Sequence, residues 1–380
     1  MAGHDLNLAA LHDPQAFAEE QARLGRVWTL LGFTTDLPRQ NDWFRAVLGG
    51  RSVFIQRFAE GLRGFENRCA HRSFPLRTTE RGNGPVLCGF HHWRYDSEGR
   101  AAGIPNCQDA FGTTPRELDR RLAPLDVACC GQLIFARFPG ATETLEEFLG
   151  PLFEVLALLC ADLGQQRRAT LSARMNWRIS QWISIDDYHL AAVHPKSLPT
   201  GRRYLRRTEL GYHRIGRHSA YFHRQDAGDV ADWLDELRGK RPVRTGYRVV
   251  HLFPNAAITY LPRLFVLPRV ALPFPYLLIQ RHVPVAADRT HLEATTAAVA
   301  GLPRHASWLM RLIAPFEWAR LPFVQRRMLR VLREDQAVCE AMQTGAAQIA
   351  PDPLYGAAEA RIAWFDEAYA AAMRPEASPG

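Results

Sequence analysis

The 380-residue sequence is long enough for two packed domains, and with 47% hydrophobic residues it can fill a core in each. The formal net charge of +8 is carried almost wholly by arginine, since only Lys196 and Lys240 are lysines. The basic residues are scattered, without a long basic run or a helix-turn-helix or zinc-finger pattern, which argues against nucleic-acid binding and for an acidic protein partner. No stretch approaches the ~18 uninterrupted apolar residues of a membrane span. The opening MAGHDLNLAALHDPQAF lacks a cationic segment followed by an apolar run, so no membrane association and a cytoplasmic setting are expected. There the odd count of 7 cysteines suits metal binding or core packing better than disulfides.

In chain order, Asp13 and Pro14 supply an N-cap and a first helical position, predicting a helix over 14–26. From Trp28 to about Phe138 short β-rich runs such as SVFIQRF and GQLIFARF alternate with Gly, Asn and Pro, the texture of a small antiparallel β domain. TETLEEFLGPLFEVLALL restores helical periodicity, capped at Thr144 or the residue before it. Strand-like runs return between about 205 and 300, in YRVVHLF, AAITYL and YLLIQRHVPV. Helical segments over roughly 304–342 and 356–373 close the chain, and only the tail MRPEASPG reads as disordered. The fold class is therefore α+β, with a β module followed by a mixed one.

Two cysteines and three histidines crowd into CAHRSFPLRTTERGNGPVLCGFHH. Cys69 and His71 form C-x-H, Cys88 and His91 form C-x-x-H, and each pair falls on a short loop. A single zinc accepts two Cys and two His, but zinc sites usually place both pairs at C-x-x-C or H-x-x-x-H separation. Mixed ligands within each pair instead resemble the Rieske motif, in which two Cys hold one iron of a [2Fe–2S] cluster and two His the other. CAHR matches its usual C-x-H-R, and HHWRYDSEGRAAGIP is similar to the segment that follows its second pair, with His92 where glycine is usual.

A second stretch, NWRISQWISIDDYHLAAVHP, places Asp186 three residues before His189, neighbours on one face if the segment is helical. His194 lies five further on and would point away in a straight helix. Pro195 pushes it out of helical geometry, so that it can return toward the same ion. Two imidazoles and a distant carboxylate make the two-His-one-carboxylate set of non-haem Fe(II), which leaves positions open for O₂ and substrate.

Together these motifs resemble the α (terminal oxygenase) subunit of Rieske non-haem iron oxygenases, the aromatic-ring-hydroxylating dioxygenases, over almost the whole chain. The family's late E-D-x-x-x-C-E-x-x-Q-x-G is matched by EDQAVCEAMQTG, which makes Asp335 the third iron ligand, with the adjacent Glu334 expected to be turned aside by the helix. Cys69, His71, Cys88 and His91 are then cluster ligands. The resemblance further implies that Asp186 bridges cluster and iron sites between neighbouring chains, with Asp187 on another helical face, and that the chain forms a homotrimer. The implied fold is an antiparallel β Rieske [2Fe–2S] domain plus a helix-grip-like catalytic domain whose antiparallel sheet is flanked by helices. The expected division is an N-terminal segment 1–37 packing on the catalytic domain, a Rieske domain over 38–150 and a catalytic domain over 151–380.

The activity implied is oxidation of a small, apolar or aromatic molecule by O₂, as a mono- or dioxygenase or an oxidative demethylase. Electrons come from NAD(P)H through a separate reductase and an acidic ferredoxin, because no dinucleotide fingerprint is apparent in this chain. A non-catalytic Rieske electron carrier or iron sensor is the alternative. One departure is that Trp182 and Ile183 stand where the family often carries Glu-Asn. Arg263, Arg269 and Arg281 in an otherwise apolar stretch expected to wall the pocket suggest a substrate carboxylate. Cys107, Cys129, Cys130 and Cys160 read as packing residues and Cys339 as core. His213, His218 and His223 recur every five residues, a spacing that in a continuous strand alternates faces and argues against a metal site.

Overall fold

The computed structural model describes residues 11–197, 211–222, 228–241, 246–262, 264–267, 270–272, 275–299, 317–346 and 355–374. The chain divides into two compact units, one of residues 21–145 and one of residues 1–20 with 146–380. By this division residues 21–37 fall in the first unit and the described residues 11–20 in the second.

In the first unit a seven-stranded antiparallel sheet runs Thr29–Phe33, Leu133–Arg137, Pro124–Cys130, Gly61–Glu66, Arg51–Phe58, Asp42–Leu48 and Arg81–Asn83. A smaller sheet of Val86–Leu87, Arg94–Tyr95 and Ala101–Gly103 sits within the segment that carries the Cys/His motif. Phe54, Phe65, Trp93 and Tyr95 pack in one buried cluster with Cys69 and Cys88, so the loops that bear the cysteines are seated on a hydrophobic base. Burying each such aromatic is worth ~1.5–3 kcal/mol.

The second unit is built on another seven-stranded antiparallel sheet, ordered Leu163–Ala173, Arg289–Val299, Tyr276–Ala286, Ala256–Leu261, Arg248–Leu252, His218–Phe222 and Gly211–Ile215. Its first strand, LGQQRRATLSA, escapes the sequence reading because most of its side chains stay in contact with water and no apolar run marks it. The helices Trp177–Ile185, Glu317–Ala346 and Ala360–Ala372 contact one another or the sheet. Buried ion pairs tie elements together among the described residues: Arg248 with Glu236 at 2.7 Å, Arg361 with Asp187 at 3.3 Å and Arg178 with Glu20 at 3.6 Å. Removing one partner of such a pair costs ~3–5 kcal/mol, because the other charge is left without compensation.

Local differences from expectation have local causes. The first helix spans Pro14–Leu24, with Asp13 Oδ1 accepting from the Gln15 amide at 2.8 Å. The segment after Thr144 forms two helices, Leu145–Leu149 and Leu152–Leu159, because Gly150 takes a positive φ of 53° and Pro151 follows. The long helix begins within the described residues at Glu317 and runs to Ala346, so residues 304–316 and the tail after 374 lie outside what is described. Cys129 is exposed on its strand while Cys130 is buried, so the packing role expected for Cys129 does not hold. His213 and His218 do not alternate on one strand. A hairpin turn intervenes, and pairing of His213 with Ala220 and of Ile215 with His218 puts both histidines on the same face. His223 lies outside the described residues.

Candidate iron centres

The two Cys/His loops have the same backbone. The Ser73 amide donates to the Cys69 carbonyl at 2.9 Å and the Cys69 amide to the Phe74 carbonyl at 2.9 Å. In the second loop the His92 amide donates to the Cys88 carbonyl at 3.0 Å and the Cys88 amide to the Trp93 carbonyl at 2.9 Å. Each loop turns on one residue with positive φ, Ser73 at 58° and His92 at 56°. That accounts for the glycine usual at position 92: the loop needs a left-handed residue, and His92 adopts that conformation against the preference of its Cβ.

Cys69 and Cys88 are buried and unbridged. His71 stacks on Trp93 at 4.7 Å and 4°, and meets His91 edge-on at 4.7 Å. Its Nδ1 is buried without a hydrogen-bond partner. Tyr95 Oη lies 3.0 Å from Cys69 Sγ and accepts from the Ala70 amide at 3.0 Å, so against a cysteinate the hydroxyl is the donor. Burial raises the Cys69 thiol above its ordinary pKa, which a cation at the sulfur would reverse. The four residues fall into two like pairs: the His71 and His91 rings adjoin, and the Cys88 thiol lies close enough to Cys69 to raise it further. Two thiols and two imidazoles spread in pairs fit a binuclear cluster better than one zinc.

In the second unit Asn176 caps the helix Trp177–Ile185, its side chain accepting from the Arg178 amide at 2.9 Å. That helix stops before the motif. Asp186 is its C-cap with extended backbone, and His189 opens a separate short helix, Leu190–Val193, which ends at His194. Asp186 and His189 are thus brought together by a break and not by one helical turn, and Asp186 Oδ2 lies 3.3 Å from His189 Nδ1. Asp186 Oδ1 also accepts from the Tyr188 amide at 2.6 Å, closing the turn. Asp187 likewise does not point along another helical face: it is buried against Arg361.

His189, His194 and Asp335 present donor atoms that all lie within 4.8 Å of one another. Asp335 Oδ1 is 2.8 Å from His194 Nε2 and 3.4 Å from His189 Nε2, yet all three atoms are buried and none makes a hydrogen bond. Donors this close that do not align with each other are aimed at a shared point between them, the geometry a metal ion requires. Burial works to lower the His189 pKa, but Asp186 and Asp335 overcome it and raise the ring to about 9. The same competition, with Asp335 and Glu334, raises His194. Burial pushes Asp335 up, and the two histidines more than offset it. The site attracts positive charge.

Glu334 is the residue that sequence reasoning missed. The long helix does not turn it aside: its Oε2 lies 2.8 Å from His194 Nδ1 and also accepts from the Ser197 hydroxyl. Each imidazole of the candidate site thus has a carboxylate behind it, Asp186 for His189 and Glu334 for His194. Such carboxylates fix the ring tautomer and raise ligand basicity. The E-D pair in EDQAVC was the available signal. Trp182 donates from Nε1 to Asp366 Oδ1 at 3.0 Å, which binds the motif helix to the closing helix and absorbs the position where the family often places a polar group. Cys339 is buried one turn beyond Asp335, as expected.

A family model for the ring hydroxylating alpha subunit (catalytic domain) matches residues 160–375, and one for the Rieske [2Fe-2S] domain matches residues 27–121. The chain belongs to the ring-hydroxylating α-subunit family. Over 183 residues it is 31% identical to the large oxygenase component of salicylate 5-hydroxylase from a Ralstonia species, covering 44% of this chain and 43% of that one. Anthranilate 1,2-dioxygenase large subunit from Burkholderia cepacia is 28% identical over 192 residues, 47% of this chain and 45% of its own. The chain thus matches less than half the length of these relatives. The fold resembles that of naphthalene 1,2-dioxygenase from Rhodococcus sp., with TM-score 0.70, 19% identity and coverage of 96% and 93%. It also resembles a quaternary ammonium Rieske monooxygenase crystallised with L-carnitine, with TM-score 0.68, 17% identity and coverage of 97% and 95%. The chain is mixed α+β, with a Rieske unit of antiparallel sheets and a catalytic unit on a large antiparallel sheet. No helix among the described residues is long and apolar enough to cross a membrane.

Proposed function

We propose that the chain is the terminal oxygenase component of a Rieske non-haem iron mono- or dioxygenase, acting with O₂ and electrons relayed from NAD(P)H by a separate reductase. The observation that carries this reading is the set of three buried, mutually unbonded donors of His189, His194 and Asp335 in a chain that also holds the two Cys/His loops. Cys69, Cys88, His71 and His91 are the residues that would hold the [2Fe–2S] cluster, and His189, His194 and Asp335 the Fe(II). Bound there, the cluster would supply single electrons and the Fe(II) would activate O₂, which is otherwise inert toward closed-shell molecules.

The chain's own residues prepare these sites. Tyr95 directs its hydroxyl at Cys69 Sγ, a contact of the kind that tunes cluster potential. Glu334 holds His194 Nδ1 by a hydrogen bond and Asp186 lies 3.3 Å from His189 Nδ1, so that both Nε2 atoms face Asp335. In this reading Asp186 also bridges to a cluster histidine of a neighbouring chain in a head-to-tail homotrimer, which is what the resemblance to the family implies.

An aromatic carboxylate is the favoured substrate class. Its support is that relatives 26–31% identical to stretches of this chain are named for salicylate, anthranilate and toluate. The arginine argument weakens, because Arg281 is engaged with Glu293 at 3.0 Å and Arg263 and Arg269 lie outside the described residues. The test is product analysis with a generic reductase, NADH and O₂ against a panel of aromatic acids and methylated amines. Substrate-dependent NADH consumption with an oxygenated product supports the assignment; its absence across the panel favours a non-catalytic electron carrier or sensor.

A further inference from the structure

Asp186 and Asp187 are adjacent, and extended backbone at Asp186 sends their side chains in opposite directions. Asp186 approaches His189 Nδ1, and Asp187 turns into the core. There Asp187 Oδ2 accepts from Arg361 Nη1 at 3.3 Å across 174 residues of sequence. Arg361 is fully buried, donates from Nε to Ser219 Oγ at 3.2 Å, and lies 5.8 Å from the Tyr212 ring. It stands in the first turn of the closing helix Ala360–Ala372, and a turn further on Asp366 accepts from Trp182 of the motif helix. The closing helix therefore grips both the motif helix and the segment just past its end.

We propose that Arg361 is a positioning residue for the iron site: by holding Asp187 in the core it sets the break after Ile185 and so aims Asp186 at His189. This inference rests on the iron site proposed above. Residues 186–188 contain no Gly or Pro, so the one local device at the break is the turn that Asp186 Oδ1 closes with the Tyr188 amide, and it forms only where Asp186 has already left the helix. An unanchored Asp187 would let the helix continue, and in a continued helix residues 186 and 187 are turned by ~100° instead of facing opposite ways. Arg361 touches neither substrate nor metal and acts only through Asp187 and Asp186.

The test measures Fe(II) affinity by anaerobic equilibrium dialysis of full-length protein that keeps its cluster but has lost mononuclear iron. Arg361→Met and Asp186→Asn are each expected to raise the Fe(II) Kd about tenfold, the scale on which residues behind a metal ligand act. In combination they should bind no more weakly than Asp186→Asn alone, because both changes act through one carboxylate. If Arg361→Met leaves an unstable protein, Asp187→Leu with Arg361→Met removes both charges together and should fold with the same tenfold loss. Asp187→Asn, which keeps an acceptor for Arg361, should lose less. Equal weakening by Arg361→Met in the presence and absence of Asp186 would overturn the inference, as would wild-type affinity in the Leu/Met variant. Failure of the unaltered protein to bind Fe(II) would overturn the iron site itself.

Discussion

Glu334 lies 2.8 Å from Nδ1 of His194, and Asp335, the next residue, lies 2.8 Å from Nε2 of the same ring. Consecutive carboxylates on one helix grip opposite edges of one imidazole. The first fixes which nitrogen carries the proton and the second shares the metal-facing side. Glu334→Ala should therefore weaken Fe(II) binding about 10–100-fold while leaving the cluster spectrum unchanged. Glu334→Gln, which still accepts from Nδ1–H, should fall between. An unchanged Fe(II) Kd in the alanine variant would show the contact to be incidental.

Metal content separates the two sites. Purified, iron-loaded protein should hold about three irons per chain, two in the cluster and one mononuclear, and no zinc. Cys88→Ala should abolish the visible absorbance of the cluster, whereas His194→Ala should leave it, since the two residues belong to different compact units. Elemental analysis with absorption spectra of both variants decides the matter.

Asp186→Asn keeps size and removes charge. The expected result is a normal cluster spectrum, near-normal iron content after loading with excess Fe(II), and turnover lowered at least about tenfold. Stopped-flow reduction of the cluster should persist while its substrate-dependent oxidation slows. On sequence alone Asp187→Asn is expected to be much milder. Burial of Asp187 against Arg361 changes that: it should cost both stability and some iron affinity.

The raised His189 pKa gives the iron-free protein a definite pH dependence. Its ordinary value is 6.5 and the folded value is about 9, so folding takes up a proton at intermediate pH. The resulting stabilisation is fully present below 6.5 and is lost as pH rises through 9. His194 shifts in the same direction, and Asp335, lowered from 3.8, titrates far below this window. Melting temperatures of protein stripped of mononuclear iron should fall between these limits, and Fe(II) added near neutral pH should release protons. A flat melting profile through that range would contradict the shift.

His92→Gly removes the Cβ that opposes a φ of 56°. Relief of ~1–2 kcal/mol exceeds the ~0.5–1 kcal/mol of chain entropy that glycine adds. The unfolding midpoint of the Rieske unit should rise slightly for glycine and drop for His92→Val, with cluster absorbance kept in the glycine variant.

What the sequence determines by itself is local. Cys69 with His71 and Cys88 with His91 are legible because each loop closes through amide–carbonyl bonds four or five residues apart, so ligand spacing and loop shape are written in one short stretch. The β texture of the first unit and the strands Arg248–Leu252 and Tyr276–Ala286 are visible for the same reason, as alternating or apolar runs. The environment of the iron ligands is decided elsewhere. Glu334 meets His194 across 140 residues and Asp187 meets Arg361 across 174. Whether the chain is helical at Asp186 depends on where the closing helix places one guanidinium, and no periodicity in residues 176–195 carries that information. Local propensity and spacing name the residues, but a carboxylate's direction is set by whichever buried partner compensates its charge, and that partner exists only once distant segments have packed.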